Sequence, residues 1–263
     1  MKQLRFILRV MALCSLTALM YALWISVNAF VFASEKAAGR WRSFMFRRWA
    51  KAVAAITGMR TVVRGTPPRP PFFLVSNHLS YIDIIALASQ LDCVFIAKSD
   101  VARWPVIGRL CRSAKTIFID RKKRKDIPRA IALIEKAMTT GQGVVLFAEG
   151  TSTEGARVLP FNSSLLEPAA RAGLAVSYAS ISYRTPATEV PAHLSVCWWG
   201  DMTFIKHLPG LFRLPEFYAT LVFGEETFQE YDRKILASKL WLAVQNQFTP
   251  VVSKEEEWSA SIR

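Results

Sequence analysis

At 263 residues the chain has room for one main domain and a small appendage. Its formal net charge of +14 suits an anionic partner, and its apolar fraction of 52% can fill a core and still leave apolar surface for a membrane. Basic low-complexity tails and nucleic-acid-binding motifs are absent from the sequence. The four cysteines (Cys14, Cys93, Cys111, Cys197) and three histidines (His78, His193, His207) follow no metal or redox spacing, so neither a nucleic-acid partner nor a metal is predicted.

In chain order, Val10 to Ala33 carries no charge and is long enough to cross a bilayer as a helix. Lys2, Arg5 and Arg9 precede it. Lys36, Arg40, Arg42, Arg47, Arg48 and Lys51 follow it, and this denser cluster predicts a body on the cytoplasmic face. Val31-Phe32-Ala33 resembles a signal cleavage site, but the apolar core is too long for a secretory signal. Ser34 to Thr57 predicts a second helix, with Trp41, Phe44, Met45, Trp49, Val53 and Ile56 at helical spacing among basic residues. Such a helix suits either the surface of the main domain or a membrane interface.

The expected organisation is a membrane-associated helix pair over 1–60 and an α/β domain over 61–263. The stiff run Thr66-Pro67-Pro68-Arg69-Pro70-Pro71 is read as the start of the catalytic part. Beyond it strands are expected at Phe72–Ser76, Val94–Ala97, Thr116–Ile119, Val144–Phe147, Val176–Tyr183, Leu194–Trp199 and Tyr218–Phe223. Helices are expected at Asp83–Gln90, Ile127–Met138 and Tyr231–Phe248. This alternation predicts an α/β fold, a mostly parallel sheet flanked by helices.

Three stretches carry chemistry-bearing residues. Asn77-His78-Leu79-Ser80-Tyr81-Ile82-Asp83 sets an imidazole five positions before a carboxylate, directly after a buried strand. The two can meet only if His78 lies in the turn outside the helix, and Asp83 could instead simply cap that helix. Phe118-Ile119-Asp120-Arg121 delivers an arginine off a strand, where it can grip a phosphate with two parallel hydrogen bonds. Phe147-Ala148-Glu149-Gly150-Thr151-Ser152-Thr153 runs from a strand into a glycine- and hydroxyl-rich turn. Trp198-Trp199-Gly200-Asp201-Met202 reads equally as the rim of an apolar channel or as a packed strand end. His193 and His207 read as surface or structural.

Taken together, in this order and spacing, the three stretches resemble the glycerolipid acyltransferase family, and within it the 1-acylglycerol-3-phosphate acyltransferases. The resemblance runs from about Phe72 to Phe223, and the N-terminal segments resemble the membrane-binding helix pair of bacterial members. It implies transfer of a fatty acyl group from acyl-CoA or acyl carrier protein, as co-substrate and not bound cofactor, to the hydroxyl of a lysolipid acceptor. It further implies that His78 is the general base and Asp83 its orienting partner. Arg121 would bind the acceptor's phosphate, with Glu149, Gly150 and Thr151 forming the acceptor site. Oxyanion stabilisation is expected from backbone N–H groups near the first motif.

Three positions depart from the family pattern. Ala148 stands where the third motif usually has proline, and Ser152 where it usually has arginine. Tyr178 stands near the proline of the usual fourth motif. Arg157, Lys115 and Lys122 are candidate substitutes for the missing arginine, and a lyso-ornithine lipid is the alternative acceptor.

Overall fold

Phe73–Ser76 (β2) and Gly143–Phe147 (β5) are buried at every position, the mark of strands covered on both faces, and they pair side by side at the centre of a seven-stranded sheet. The structure, a computed structural model of the chain, describes residues 1–30, 35–120 and 126–252. The remaining strands are β1 (Met59–Arg64), β3 (Cys93–Lys98), β4 (Ile117–Ile119), β6 (Val176–Arg184) and β7 (Phe217–Phe223). The sheet order is β1-β7-β6-β2-β5-β3-β4, and every pairing is parallel except β6–β7.

The helices are α1 (Lys2–Phe30), α2 (Glu35–Thr57), α3 (Ile82–Gln90), α4 (Ile107–Ser113), α5 (Asp126–Thr139), α6 (Ser163–Arg171), α7 (Ala192–Ser195), α8 (Phe204–Arg213) and α9 (Arg233–Gln247). The expected α/β class with a mostly parallel sheet is therefore the observed one. In α9, Asp232 accepts the backbone N–H groups of Lys234 and Ile235, which sets the helix start two residues after the expected Tyr231.

Two sequence expectations are corrected, and some expected residues are not described. Leu194–Trp199 is not a strand: α7 ends at Ser195 and a turn follows, because Pro191 stands at the N-cap and starts a short helix. The Thr66–Pro71 segment does not open the sheet domain, since β1 precedes it and forms the sheet edge against β7. β1 escaped the sequence reading because charged and exposed side chains interrupt its pattern at Arg60 and Arg64. Finally, Ala33, Ser34, Arg121 and Lys122 to Arg124 and Lys125 lie outside the described residues.

The N-terminal helices are packed on this body. α2 buries Met45, Ala50, Val53 and Ala54, and lies mainly against α3. Full burial of side chains such as Met45 and Val53 stabilises by about 1.5–3 kcal/mol each. α1 is the one helix among the described residues, over Lys2–Val27, that is long and apolar enough to cross a bilayer. Polar contacts fasten one side of it along the body. Arg9 donates to the carbonyls of Phe212, Leu214 and Pro215, and Arg5 to that of Arg213, so two guanidinium groups satisfy the C-terminal end of α8. Further along, Trp49 Nε1 donates to Thr17 Oγ1, and Tyr21 and Ser113 share a hydroxyl–hydroxyl bond. Leu4, Leu8, Met11, Leu19, Leu23 and Ile25 are left exposed.

Candidate active site

β2 ends at Ser76 and the chain turns before α3 begins at Ile82, so His78 lies in the turn and Asp83 in the first helical turn. The two side chains meet: His78 Nδ1 lies 2.7 Å from Asp83 Oδ2. A carboxylate accepts only, so Nδ1 carries a proton, and the neutral ring in this tautomer has its lone pair on Nε2. His78 is 20% exposed while Asp83 is completely buried. Asp83 does not cap α3, whose N-cap residue is Tyr81 with no side-chain cap bond; Oδ2 instead also accepts the backbone N–H groups of Leu79 (2.7 Å) and Ser80 (3.0 Å) in the turn before the helix.

The second carboxylate oxygen is occupied by a residue the sequence reading missed. Tyr183, near the end of β6, donates its hydroxyl to Asp83 Oδ1 at 2.6 Å. Burial, followed by the Asp83 charge, holds that phenol well above its ordinary range, so it stays a donor. Asn77 ties the same strands together, its side chain accepting from Ile181 N and donating to Ile181 O.

The third motif closes around the same histidine. β5 ends at Phe147, whose ring stacks on the imidazole at 4.2 Å between centroids. Glu149 accepts His78 N–H on one oxygen (2.6 Å) and Leu159 N–H on the other (2.9 Å), while Thr153 N–H donates to the His78 carbonyl (3.0 Å). Both backbone groups of His78 are thus clamped by one loop. Burial pushes the Glu149 carboxyl up to about 7. The two N–H bonds oppose that rise, and the Asp83 charge adds to it. Gly150 sits at φ +78°, a conformation that favours glycine and lets the loop turn back. Gly155 sits at φ +88°, where a Cβ would strike Val251 and crowd Leu79.

Three backbone N–H groups of the first motif are already engaged and do not serve an oxyanion. The N–H groups of His78, Leu79 and Ser80 are all taken by the carboxylates of Glu149 and Asp83. Thr151 is exposed at the loop rim, as are Lys115 and Arg157. Arg121 lies outside the described residues.

Trp198 N–H donates to the Leu79 carbonyl, and its ring meets Tyr81 edge-on, which packs the turn after α7 against the first motif. Buried His207 pairs through Nδ1 with the Tyr81 hydroxyl and also meets that ring edge-on, a packing role. Among the described residues no group of His, Cys, Asp and Glu side chains could hold a metal ion.

An imidazole braced by a buried carboxylate at the carboxyl end of a parallel sheet is an arrangement that can take a proton from a hydroxyl. The acyltransferase family profile matches residues 56–184. The lyso-ornithine lipid O-acyltransferase of Brucella abortus (strain 2308) is 34% identical over 233 residues, 84% of this chain and 87% of that protein. The 1-acyl-sn-glycerol-3-phosphate acyltransferase of Neisseria gonorrhoeae is 32% identical over 163 residues, 59% and 64% of the two chains. The fold is shared with the crystal structure of the 1-acyl-sn-glycerophosphate acyltransferase PlsC from Thermotoga maritima, at TM-score 0.65 and 19% identity over 94% of this chain and 97% of that one. This chain belongs to the acyltransferase family.

Proposed function

We propose that the chain transfers a fatty acyl group from a thioester, acyl-CoA or acyl carrier protein, to the free hydroxyl of a membrane lysolipid. The observation that carries this reading is the bonded His78–Asp83 pair, with Nε2 left as the ring's second nitrogen. Nε2 takes the hydroxyl proton as the oxygen attacks the thioester carbonyl. The tetrahedral intermediate then expels the thiolate, and the imidazolium returns the proton to that sulfur. Asp83 stabilises the imidazolium and fixes the tautomer. General-base assistance of this kind supplies roughly 10²–10⁴-fold.

Two acceptors fit the family, and each has its own support. The motif set and the named activities of the Neisseria and Thermotoga proteins favour 1-acyl-sn-glycerol-3-phosphate, giving phosphatidic acid, with Arg121 on the phosphate and Gly150 and Thr151 at the acceptor's edge. Lyso-ornithine lipid is favoured by the relatives that match over most of this chain, those of Brucella abortus and Rhizobium meliloti (strain 1021), and by Ser152 in place of the family's arginine. Glu149 acts in either case as a brace for His78, a use its two backbone bonds support better than direct acceptor contact. The α1–α2 pair seats the body on the cytoplasmic face, a reading supported by the basic cluster after the apolar segment.

The test is a purified-enzyme assay offering both acceptors with both thioester donors, with the product identified by mass. Labelled phosphatidic acid selects the first acceptor and ornithine lipid the second. Turnover of neither overturns the proposal.

A further inference from the structure

We propose that a cleft between α2 and the opposite end of the sheet binds the phosphate of an anionic membrane phospholipid, at a site separate from that of acyl transfer. The cavity measures about 210 Å³ and is lined by Arg40, Ser43 and Arg47 of α2, by Asp92 before β3, and by Gly141 and Gln142 before β5. Gly141 and Gln142 precede β5, whose far end carries the Glu149 loop. The five-residue β5 alone sets the cleft and the Glu149 loop about 17 Å apart. One molecule's phosphate in the cleft therefore cannot be the group that His78 acts beside.

The chemistry of the lining is that of an anion site. Arg40 and Arg47 both line the cleft, and Arg47 Nε is buried without a hydrogen-bond partner among the described residues, so its guanidinium is not fully paired within the protein. Arg40 is exposed, and Ser43 and Gln142 are bonded to each other beside it. Arg42, which does not line the cleft, donates to Gln142 Oε1. The opposing charge is Asp92, 3.6 Å from Arg47 Nη1 with both side chains about two-fifths exposed, a pairing of the weak surface kind.

The surroundings select a lipid over a free ion. Phe44 lines the cleft and is itself half exposed. The Thr17–Trp49 bond fixes α1 and α2 as an antiparallel pair, so the exposed Leu19, Leu23 and Ile25 run past the Arg40–Arg47 end of α2. Headgroup donors thus stand next to apolar surface that acyl tails can cover. The inference rests on the reading that the helix pair meets a membrane.

The test uses the full-length chain and vesicles of phosphatidylcholine with or without phosphatidylglycerol. R40Q/R47Q is compared with R48Q/K51Q, which removes the same charge from exposed positions of the same helix outside the cleft. R40Q/R47Q is expected to weaken association with the anionic vesicles about tenfold more than R48Q/K51Q does. D92N, which removes the competing carboxylate, is expected to strengthen it. Equal losses in the two double variants would mean a diffuse basic surface and would overturn the site. Millimolar inorganic phosphate is expected to leave vesicle association unchanged; displacement by it would make the cleft a soluble-phosphate site and overturn the lipid assignment. Acyl transfer to detergent-dispersed acceptor, measured in parallel, should be unchanged in every variant, which separates failure here from failure of the enzymatic reading. A turnover loss confined to R40Q/R47Q would place the cleft within the acyl-transfer machinery and refute its separateness.

Discussion

The Tyr183 hydroxyl donates to Oδ1 of Asp83 at 2.6 Å, filling the carboxylate oxygen that the imidazole leaves free. The phenol is buried and lies 100 residues away in the chain, so its contribution is positional: it fixes the carboxylate that fixes the ring. A hydrogen bond to a buried charge is worth about 1.5–3 kcal/mol, so Tyr183→Phe should lower kcat by about tenfold or more with little change in acceptor KM. With one donor gone the carboxylate binds the imidazolium more tightly, and the acid limb of the pH–rate profile should move to higher pH. A profile that keeps its position while stability falls would leave Tyr183 a packing residue only.

His78 and Asp83 should separate activity from stability. His78→Ala removes the base and should lower kcat by roughly 10²–10⁴-fold while the thermal midpoint changes little. Asp83→Asn turns an acceptor of two backbone N–H groups into an amide whose NH₂ opposes donors. Each buried donor left unsatisfied costs about 1–3 kcal/mol, so Asp83→Asn should lose stability as well as turnover. Parallel assays of turnover and denaturant midpoint on the two variants check this, and substantial acyl transfer by His78→Ala would remove that residue from the mechanism.

Glu149 predicts a pH-dependent stability. Its carboxyl is raised by burial from 4.5 to about 7, so between those values the folded state holds a proton that the unfolded state has released. Stability contributed through this group therefore falls as pH rises across that window, by up to about 1.4 kcal/mol per unit, and levels off above it. Denaturant titrations over the same range should show this slope in the parent and not in Glu149→Gln. That variant should also turn over more slowly, because its NH₂ must face the N–H of either His78 or Leu159.

Arg9→Gln tests the attachment of α1. The guanidinium serves three carbonyls at the end of α8, and no glutamine rotamer reaches all of them. Two carbonyls losing charge-assisted partners should destabilise the detergent-solubilised protein by about 1–3 kcal/mol. Thermal unfolding of the two forms reads this directly, and an unchanged midpoint would mean that the clamp contributes nothing in solution.

The sequence made the catalytic turn legible because its signals are local: a fully apolar strand, a break, and a histidine and an aspartate five positions apart. It could not show Tyr183, an ordinary aromatic in an apolar strand, since nothing within a few residues marks it as facing a carboxylate. It misassigned Leu194–Trp199 because a short apolar run has the same pattern as a buried strand, and only Pro191 hinted otherwise. The amides of His78, Leu79 and Ser80 looked available for an oxyanion until the structure showed carboxylates already holding these three. The anchoring of α1 was equally hidden, because Arg5 and Arg9 read as flanking charge and not as ligands of carbonyls some two hundred residues away.

The edge strand β1 has a practical bearing on handling the protein. It joins α2 to the sheet without a break and pairs with β7 along its whole length. A truncation made at the proline-rich segment to shed the greasy leader would strip β7 of its neighbour and bare a sticky edge. Expression of a shortened form should keep α2 as well as Met59 onward, because that helix covers α3.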